Sequence, residues 1–200
     1  MNYIKIQNTT PNNKTCRVLF IGDSAVGKTN IITRFKYNTF EYSYLATIGL
    51  DFVIKNLKIR DKNIKFNIWD TAGQKKYKSA IESYYKNIDV ICICYDITNI
   101  KSYNLLPELL NEAIRNSNDA IIYIIGNKID FDYNRCIPKR NVIAMCNENK
   151  IHYFEVSAEK NINIIDLFYN IGDKFLKKNE IEHPRIIKVN NKLCNCCILQ

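Results

Sequence analysis

Apolar runs and helix-like repeats alternate along this chain. Short runs rich in Ile, Val, Phe and Tyr predict β-strands at residues 15–21, 51–59, 64–69, 89–95, 121–125 and 153–156. Apolar residues that recur every three or four positions predict helices at residues 28–36, 75–86, 103–116, 139–149 and 162–177. Strands that alternate with helices indicate an α/β fold, in which a mostly parallel sheet carries helices on both faces.

The second and third predicted strands are separated only by the polar segment 60–63. A connection of this kind suits a β-hairpin, whose strands are antiparallel. We therefore predict a mostly parallel six-stranded sheet with one antiparallel strand. Ligands of such sheets bind beyond the carboxyl ends of the strands, so the loops that follow the strands are the expected place for the chemistry.

The composition is that of one folded domain. A chain of 200 residues, 46% of them hydrophobic, can fill one core and is short for two. We expect this domain at residues 15–178, preceded by a flexible polar N-terminus at residues 1–14 and followed by a flexible tail at residues 179–200. The formal net charge of +9 is spread along the chain, and no Lys/Arg stripe interleaves with aromatic residues, so no nucleic-acid partner is expected.

The N-terminus and the cysteines bear on the compartment. The N-terminus has no signal-peptide pattern, and no apolar run is long enough to span a bilayer. Asn2 excludes N-myristoylation, which needs Gly after the initiator Met. Eight cysteines in such a chain indicate a reducing compartment rather than a disulfide framework. Cys92 and Cys94 lie in an apolar run, and we expect them to pack in the core.

The first loop whose residues indicate ligand binding is the segment 22–29, Gly-Asp-Ser-Ala-Val-Gly-Lys-Thr. It follows a predicted strand and runs into the start of a predicted helix. This is a complete phosphate loop in the context that the motif requires, so the fold is predicted to be that of a P-loop NTPase. Lys28 can reach the β- and γ-phosphates, and the Thr29 hydroxyl can bind Mg²⁺. Backbone N–H groups of the loop face the phosphates. The phosphate-binding positions predicted here are Gly22, Ser24, Ala25, Val26, Gly27, Lys28 and Thr29.

A second loop follows the third predicted strand and contains Asp70, Gly73 and Gln74. Asp70 is well placed for Mg²⁺ or a water bound to it, and the Gly73 N–H can approach the γ-phosphate because no Cβ intervenes. Gln74 can orient the attacking water. Thr47, in the loop before the second predicted strand, could close the Mg²⁺ shell. Alone these residues would suit ordinary turns, but behind a phosphate loop they indicate a nucleoside triphosphate site.

The base is indicated by Asn127-Lys-Ile-Asp130, which follows the fifth predicted strand. The Asp130 carboxylate can accept bonds from the N1–H and the exocyclic amine of guanine, a pairing that adenine does not offer. The Lys128 stem can lie along the base, and the segment beginning Ser157-Ala158 can present backbone N–H to O6. A P-loop kinase or ATPase would have no use for this segment. The guanine-binding positions predicted are Asn127, Lys128, Asp130, Ser157, Ala158 and Glu159.

With these motifs the sequence resembles the Ras superfamily of small GTPases and, within it, the Rab branch, which directs vesicle traffic. The resemblance covers residues 15–178 and the C-terminal cysteines. The similar segments are residues 48–52, 65–74, 83–86 and 95–98. The resemblance implies GTP and GDP as ligands, and Mg²⁺ held by Thr29 and Thr47, with Asp70 acting through water. It also implies catalytic roles for Lys28 and Gln74.

The same resemblance implies a conformational switch and a set of partners. Switch I would include Thr47, Ile48 and Gly49, and switch II would begin at Gly73 and Gln74. The implied partners are an exchange factor, a GTPase-activating protein that supplies an arginine finger, effectors, a GDP-dissociation inhibitor and a prenylation escort. The implied location is the cytoplasmic face of an intracellular membrane, in exchange with the cytosol.

Two departures from the Rab pattern bear on mechanism. Lys75 stands where most relatives have an acidic residue that assists nucleotide exchange, and Glu159 replaces the usual Lys beside the guanine site. No Arg lies at residues 44–46, just ahead of Thr47, so we expect slow hydrolysis without an activator. Two alternatives stay open, a Ras-like signalling GTPase and a GTP-binding adaptor that does not hydrolyse, although Gln74 argues against the second.

The C-terminus ends in Cys194-Asn-Cys-Cys-Ile-Leu-Gln200. This ending fits the paired-cysteine pattern for two geranylgeranyl groups, on Cys196 and Cys197, and also a C-a-a-X box for farnesylation of Cys197. Residues 178–200 have a net charge of only +2, too little for a strong polybasic signal, so two prenyl groups are the preferred interpretation. A zinc knuckle would need a cramped set of ligands.

Overall fold

The structure, a computed structural model, describes residues 14–42, 47, 49–73 and 84–182. Its centre is a six-stranded sheet in the order β2-β3-β1-β4-β5-β6. The strands are β1 (Lys14–Gly22), β2 (Leu50–Ile59), β3 (Lys62–Thr71), β4 (Val90–Asp96), β5 (Ile121–Asn127) and β6 (His152–Glu155). The β2–β3 hairpin is antiparallel and every other pair is parallel. The predicted α/β fold, with its single antiparallel strand, is confirmed.

Helices cover both faces of this sheet. They are α1 (Lys28–Tyr37), α2 (Ile100–Asn104), α3 (Leu106–Asn116), α4 (Lys139–Glu148) and α5 (Ile164–Glu182), with a short 3-10 helix at Ile129–Asn134. The helix predicted at residues 75–86 falls mostly on residues 74–83, outside the described part of the chain; residues 84 and 85 are helical. No described helix is both long and apolar enough to cross a membrane.

The core forms two layers because the strands alternate their side chains between the two faces. Phe20 of β1 points to the layer under α1 and α5, where the Phe35 and Phe168 rings stack with centroids 3.5 Å apart. Leu19 points to the opposite layer. Cys92 and Cys94 are fully buried, as expected. Full burial of each large apolar side chain contributes about 1.5–3 kcal/mol, so this packing fixes the sheet on which the loops are mounted.

The single helix predicted at residues 103–116 is wrong. The chain forms α2 and then α3, with a break at Leu105. Pro107 lies in the first turn of α3, where its missing N–H has no helical partner to lose. In a continuous helix its ring would clash with the carbonyl of residue 103. The apolar period continues across the break, which is why periodicity alone did not reveal it.

The last helix begins later and ends later than the predicted range of 162–177. The preceding Asn163 has a left-handed φ of 58°, so α5 begins at Ile164. Its distal end runs past residue 178, where we expected the tail to start, and reaches Glu182. The start of β3 supports this extension, because Lys62 forms an ion pair with Glu180. The limits of the domain remain a prediction.

The strand ends define one rim of the sheet. β1 ends at Gly22, β3 at Thr71 and β5 at Asn127, so the predicted phosphate, Mg²⁺ and guanine motifs all begin there. Gly22 is required at its position: its φ is +147°, and a Cβ would lie 2.4 Å from the Cys94 carbonyl oxygen. This close packing brings the loop directly over the end of β4.

Candidate functional site

A cleft of about 410 Å³ opens on this rim. It is lined by five separate parts of the chain, within residues 24–30, 40–42 with 47, 73, 127–131 and 158–159. The lining residues include Ser24, Ala25, Gly27, Lys28, Thr29, Phe40, Tyr42, Thr47, Gly73, Asn127, Lys128, Asp130, Phe131, Ala158 and Glu159. The phosphate and guanine motifs, predicted separately, therefore meet in one cavity.

Lys28 lies at the floor of this cleft, at the start of α1, and is only 5% exposed. Its ammonium donates to the carbonyl oxygens of Gly22 (3.0 Å) and Asp23 (2.8 Å). Burial lowers the pKa of Lys28, although the carboxylates of Asp70 and Asp23 oppose the shift. A cation desolvated in this way is stabilised by an anionic ligand, and phosphate oxygens would replace the carbonyls.

Ala25 has a left-handed conformation, with φ 62°. For a residue with a Cβ the left-handed region costs roughly 1–2 kcal/mol. The loop therefore holds Ala25 in a strained conformation, which orients the surrounding backbone.

Three predicted Mg²⁺ ligands lie together beside α1. Thr29 Oγ1 is 2.9 Å from Thr47 Oγ1 and donates to Asp70 Oδ2 at 2.5 Å. Asp70 is 2% exposed, and its Oδ1 is buried without a hydrogen-bond partner. Burial raises the pKa of Asp70, while the bond from Thr29 and the charge of Lys28 act against the rise. Oxygen donors and an unsatisfied carboxylate oxygen are a donor set that suits a hard cation such as Mg²⁺.

Gly73 follows β3 and packs directly on the phosphate loop. A Cβ at this position would lie 2.4 Å from the Ser24 nitrogen and the Asp23 carbonyl carbon. Only glycine allows this approach to the loop, and the predicted approach of the Gly73 N–H to the γ-phosphate stays a prediction. Its predicted partners Gln74 and Ile48 lie outside the described residues, as do Lys75, Cys196 and Cys197.

Asn127 lines the cleft, but both polar atoms of its side chain bond to backbone groups of the protein. Its Nδ2 donates to the Val26 carbonyl (2.9 Å), its Oδ1 accepts from the Ala158 N–H (3.2 Å), and the residue is 2% exposed. A Cβ on Gly27 would lie 2.3 Å from the same Nδ2. Asn127 thus joins the phosphate loop to the segment around Ala158, a role that the motif alone did not reveal.

The other guanine-motif side chains are held by neighbouring residues. Asp130 Oδ1 accepts from the Ser157 hydroxyl at 2.5 Å, which ties the 3-10 helix to the segment after β6. Lys128 forms an ion pair with Asp96 at 2.6 Å, and Asp96 also accepts from the Thr98 N–H and hydroxyl. These bonds orient Asp130 and the Lys128 stem at the cleft before any ligand contributes.

Several residues of the site were missed by the sequence analysis. Phe40 and Tyr42 line the cleft, with ring centroids 4.9 Å apart, and Phe131 lines it from the 3-10 helix. An aromatic face there can stack on a planar base. Phe40 is an isolated aromatic residue in a loop, so no pattern in the sequence singled it out. Glu159, by contrast, is one of the predicted guanine-binding positions; it also lines the cleft, with its carboxylate 3.0 Å from Lys160 Nζ.

Comparison with known proteins agrees with this arrangement. The model of the Ras family matches residues 17–177. Ras-related protein Rab-10 of Diplobatis ommata is 37% identical over 169 residues, which cover 84% of this chain and 84% of that protein. Ras-related protein Rab-10 of Caenorhabditis elegans is 37% identical over 163 residues, which cover 81% of each.

The chain therefore belongs to the Ras family, whose fold it has. Its similarity to the Rab-10 proteins identifies it further as a Rab-type small GTPase, an enzyme that binds guanine nucleotide and hydrolyses GTP.

Proposed function

We propose that this protein is a GTP/GDP switch that regulates vesicle traffic from the cytoplasmic face of an intracellular membrane and exchanges with the cytosol. One observation carries the proposal: the phosphate loop, the Thr29–Thr47–Asp70 cluster and the Asn127–Asp130 segment converge on one cleft. Binding and hydrolysis of GTP there would alternate two states, and effectors would recognise the GTP state.

Hydrolysis begins with in-line attack of water on the γ-phosphate. The Lys28 ammonium exchanges its bonds to loop carbonyls for bonds to phosphate oxygens, and the loop N–H groups stabilise the charge that develops there. Gln74 is the residue expected to orient the water. No Arg precedes Thr47 at residues 44–46, so intrinsic turnover should be on the order of 10⁻⁴ s⁻¹, the magnitude seen in Ras. An activating protein that supplies an arginine finger would then set the rate.

The residues of the cluster fit a magnesium ion. The hydroxyls of Thr29 and Thr47 would bind it, and Asp70 would act through a bound water, which would satisfy the partnerless Oδ1. When bound, the ion would neutralise charge on the β- and γ-phosphates.

An exposed aromatic patch supports the proposed binding of effectors. Phe52 of β2 is 44% exposed, and its ring centroid lies 5.0 Å from that of Trp69 on β3. The Tyr84 ring lies 6.2 Å from the Trp69 ring. Trp69 directly precedes Asp70, so the patch is continuous with the strand that carries the Mg²⁺ carboxylate. Exposed aromatic clusters of this kind favour protein partners.

Nucleotide competition tests the proposed site. Protein loaded with a fluorescent GDP analogue should release it when challenged with GTP or GDP, and should retain it in a thousandfold excess of ATP, about 4 kcal/mol of discrimination. Equal displacement by ATP would overturn the guanine assignment.

A single-turnover assay tests hydrolysis. Gln74→Leu should slow intrinsic turnover and leave GTP affinity nearly unchanged, because the amide would position water rather than phosphate. A non-hydrolysing adaptor would show no turnover in the wild-type protein. Unchanged turnover in Gln74→Leu would contradict the assigned role.

Membrane fractionation tests the anchor. Because each buried CH₂ contributes about 0.8 kcal/mol, a second prenyl chain turns marginal binding into stable anchoring. The double variant Cys196→Ser/Cys197→Ser should move to the cytosol with GTP binding intact, each single variant should associate only partly, and Cys194→Ser serves as the matched control. A double variant that still sediments with membranes would show that another anchor exists.

A further inference from the structure

Helix α1 carries a polar row that flanks its buried face. Asn30 and Arg34 are four residues apart, so they lie one above the other along the helix, and Asn38, four residues further on, caps its C-terminus. Ile31 and Phe35 face the core and are 0% and 3% exposed. The helix begins at the phosphate loop, and its polar row runs from there along the side of the cleft.

The first member of the row holds the segment that follows α1. The Asn30 side chain donates to the Glu41 carbonyl and accepts from the Glu41 N–H, both at 3.2 Å. This reciprocal pair fixes the backbone between Phe40 and Tyr42, and both of those side chains line the cleft. Asn30 therefore supports one wall of the proposed base pocket.

Arg34 holds the opposite wall. Its Nε donates to the Ala158 carbonyl (2.8 Å) and its Nη2 to the Glu159 carbonyl (2.9 Å). Its Nη1 donates to the Asn38 carbonyl at the end of α1 (2.7 Å). Among the described residues no carboxylate forms an ion pair with Arg34, so its charge is used on these carbonyls. Charge-assisted bonds from a planar guanidinium fix both distance and direction.

The third member closes the arrangement. Asn161 Nδ2 donates to Asn38 Oδ1 at 3.0 Å, and both residues have left-handed φ values of 56° and 59°. The bond from Arg34 Nη1 to the Asn38 carbonyl, taken alone, could serve only to cap the helix. The bonds to residues 158 and 159 cannot, because those residues are more than 120 positions away in the chain.

We propose that the polar row of α1 positions the two walls of the guanine pocket, and that Arg34 is the positioning residue for the wall that reads the oxygen at C6. This inference rests on the proposed guanine site. Arg34 holds the carbonyl side of Ala158, and the N–H side of the same segment faces Asn127 and the cleft. The segment can turn little while both sides are held, and it keeps this geometry even though Glu159 replaces the usual Lys.

The inference separates two parts of base recognition. Asp130 would bind N1–H and the exocyclic amine, and it is held by Ser157 rather than by Arg34. Loss of Arg34 should therefore weaken recognition at C6 and spare recognition of the amine. 6-Thio-GDP keeps N1–H and the amine and replaces the C6 oxygen by sulfur, a weak acceptor. IDP keeps the oxygen and lacks the amine.

The test measures dissociation constants of GDP, 6-thio-GDP, IDP and ADP for the full-length protein. Arg34→Gln should bind GDP about tenfold more weakly, the effect of one lost charge-assisted hydrogen bond. Its preference for GDP over 6-thio-GDP should fall by a similar factor, and its preference for GDP over IDP should not change.

Further variants guard against misfolding. Arg34→Lys keeps the positive charge but lacks the planar guanidinium, so it should show an intermediate loss of GDP affinity. Asn161→Gly can keep the left-handed backbone conformation and loses only the bond to Asn38, so its loss of affinity should be smaller. Arg115→Gln is the matched control, since Arg115 donates to the Asn111 carbonyl within α3, away from the cleft. It should behave as wild type.

Two results would overturn the inference. If Arg34→Gln weakens the binding of GDP, 6-thio-GDP and IDP equally, Arg34 has a general structural role. If Arg34→Gln retains the wild-type preference for GDP over 6-thio-GDP, Arg34 does not position the wall that contacts the C6 oxygen. Wild-type protein that binds ADP as tightly as GDP would overturn the guanine assignment itself.

Discussion

The two ends of the cleft are built in different ways. In the phosphate half, formed by residues 22–29 with Thr47, Asp70 and Gly73, the polar groups have bonds that a ligand must replace. Lys28 donates to carbonyls of its own loop, and Asp70 Oδ1 has no partner. In the guanine half, formed by residues 127–130 and 157–159, the side chains already have partners within the protein: Asp130 accepts from the Ser157 hydroxyl, and Asn127 accepts from the Ala158 N–H.

This difference separates specificity from chemistry. A pocket wall that is held before binding discriminates between bases without a further ordering cost. The phosphate half instead contains buried ionisable groups that a charged ligand would stabilise. Burial raises the pKa of Asp70 and lowers that of Lys28, so burial disfavours the charged form of both side chains. We expect changes in the guanine half to alter which base binds, and changes in the phosphate half to alter metal dependence.

The largest effect should come from Gly27, where the halves meet. Gly27→Ala places a methyl group 2.3 Å from Asn127 Nδ2, at a φ of +94°. To bind nucleotide, the variant must hold the new alanine in the left-handed conformation, which costs about 2 kcal/mol. It must also lose the buried hydrogen bond from Asn127 to the Val26 carbonyl, which costs about 2 kcal/mol more. GDP affinity should fall about a thousandfold, as measured by fluorescence titration.

The control for this prediction is Gly172→Ala in α5. Its added methyl would lie 2.1 Å from Ile59 Cδ1, in the core and away from the cleft. It should lower thermal stability and leave the GDP dissociation constant unchanged. If Gly27→Ala weakens GDP binding no more than Gly172→Ala does, Asn127 does not join the two halves.

A smaller and more selective effect is expected at Asp130. Asp130→Asn reverses the pattern of donors and acceptors that faces the base, and its amide oxygen can still accept from the Ser157 hydroxyl. Two charge-assisted bonds of about 1.5 kcal/mol each are lost, so GTP should bind roughly a hundredfold more weakly and XTP should gain. Competition between GTP and XTP measures the reversal.

Asp132→Asn provides the control, because Asp132 lies in the same 3-10 helix and pairs with Arg135 at 2.6 Å. It should retain the preference for GTP. Asp130→Asn that still prefers GTP would remove Asp130 from the guanine site.

The phosphate half is tested by Thr29→Val, which removes one hydroxyl and keeps the shape. Thr29 bonds to Thr47 and Asp70, so its loss should remove a proposed Mg²⁺ ligand. GDP dissociation should speed up about tenfold with Mg²⁺ present, for a loss of about 1.4 kcal/mol. Chelation by EDTA should then accelerate dissociation strongly in wild type and little in the variant.

The base preference of Thr29→Val should stay that of wild type, as should all properties of Thr15→Val on exposed β1 surface. A Thr29→Val protein whose GDP release responds to EDTA as fully as wild type would place the ion elsewhere.

The smallest effect is expected from the support beneath the guanine half. Burial would raise the pKa of Glu155, but bonds from Arg135 (2.8 Å) and Tyr153 (2.5 Å) outweigh it and lower that pKa. The folded pKa therefore lies below the unfolded value of about 4.3. The stability that Glu155 contributes is present above that value and is lost as pH falls through the folded pKa.

Thermal unfolding between pH 7 and about pH 2, a range that extends below the unfolded pKa, measures this contribution. Glu155→Gln should lower stability by about 1–2 kcal/mol at pH 7, with a difference from wild type that shrinks as the solution becomes acidic. Glu148→Gln, on the exposed face of α4, should follow the wild-type curve. A constant difference between Glu155→Gln and wild type at all pH values would mean that the carboxylate charge is not what stabilises this network.

The sequence predicted the strands and most helices because their signals are local. Runs of β-branched residues mark β1 and β4, and the glycines of residues 22–29 mark a tight loop wherever it lies in a fold. The signal failed at Leu105, where the apolar period crosses a real break, and at the 3-10 helix, which is too short to have a period. Both depend on backbone geometry rather than on pattern.

The sequence by itself determined that this chain has an α/β sheet with a nucleotide loop, and that the base is guanine. Each of the two motifs, at residues 22–29 and 127–130, is one unbroken segment whose side chains indicate the ligand group directly. Only the tertiary structure decided that Asn127 bonds to Val26 and Ala158, that Arg34 holds Ala158 and that Phe40 lines the cleft. The physical reason is the range of the contacts. Arg34 and Ala158 are 124 positions apart, and a hydrogen bond between them exists only after folding has brought α1 beside the segment that follows β6.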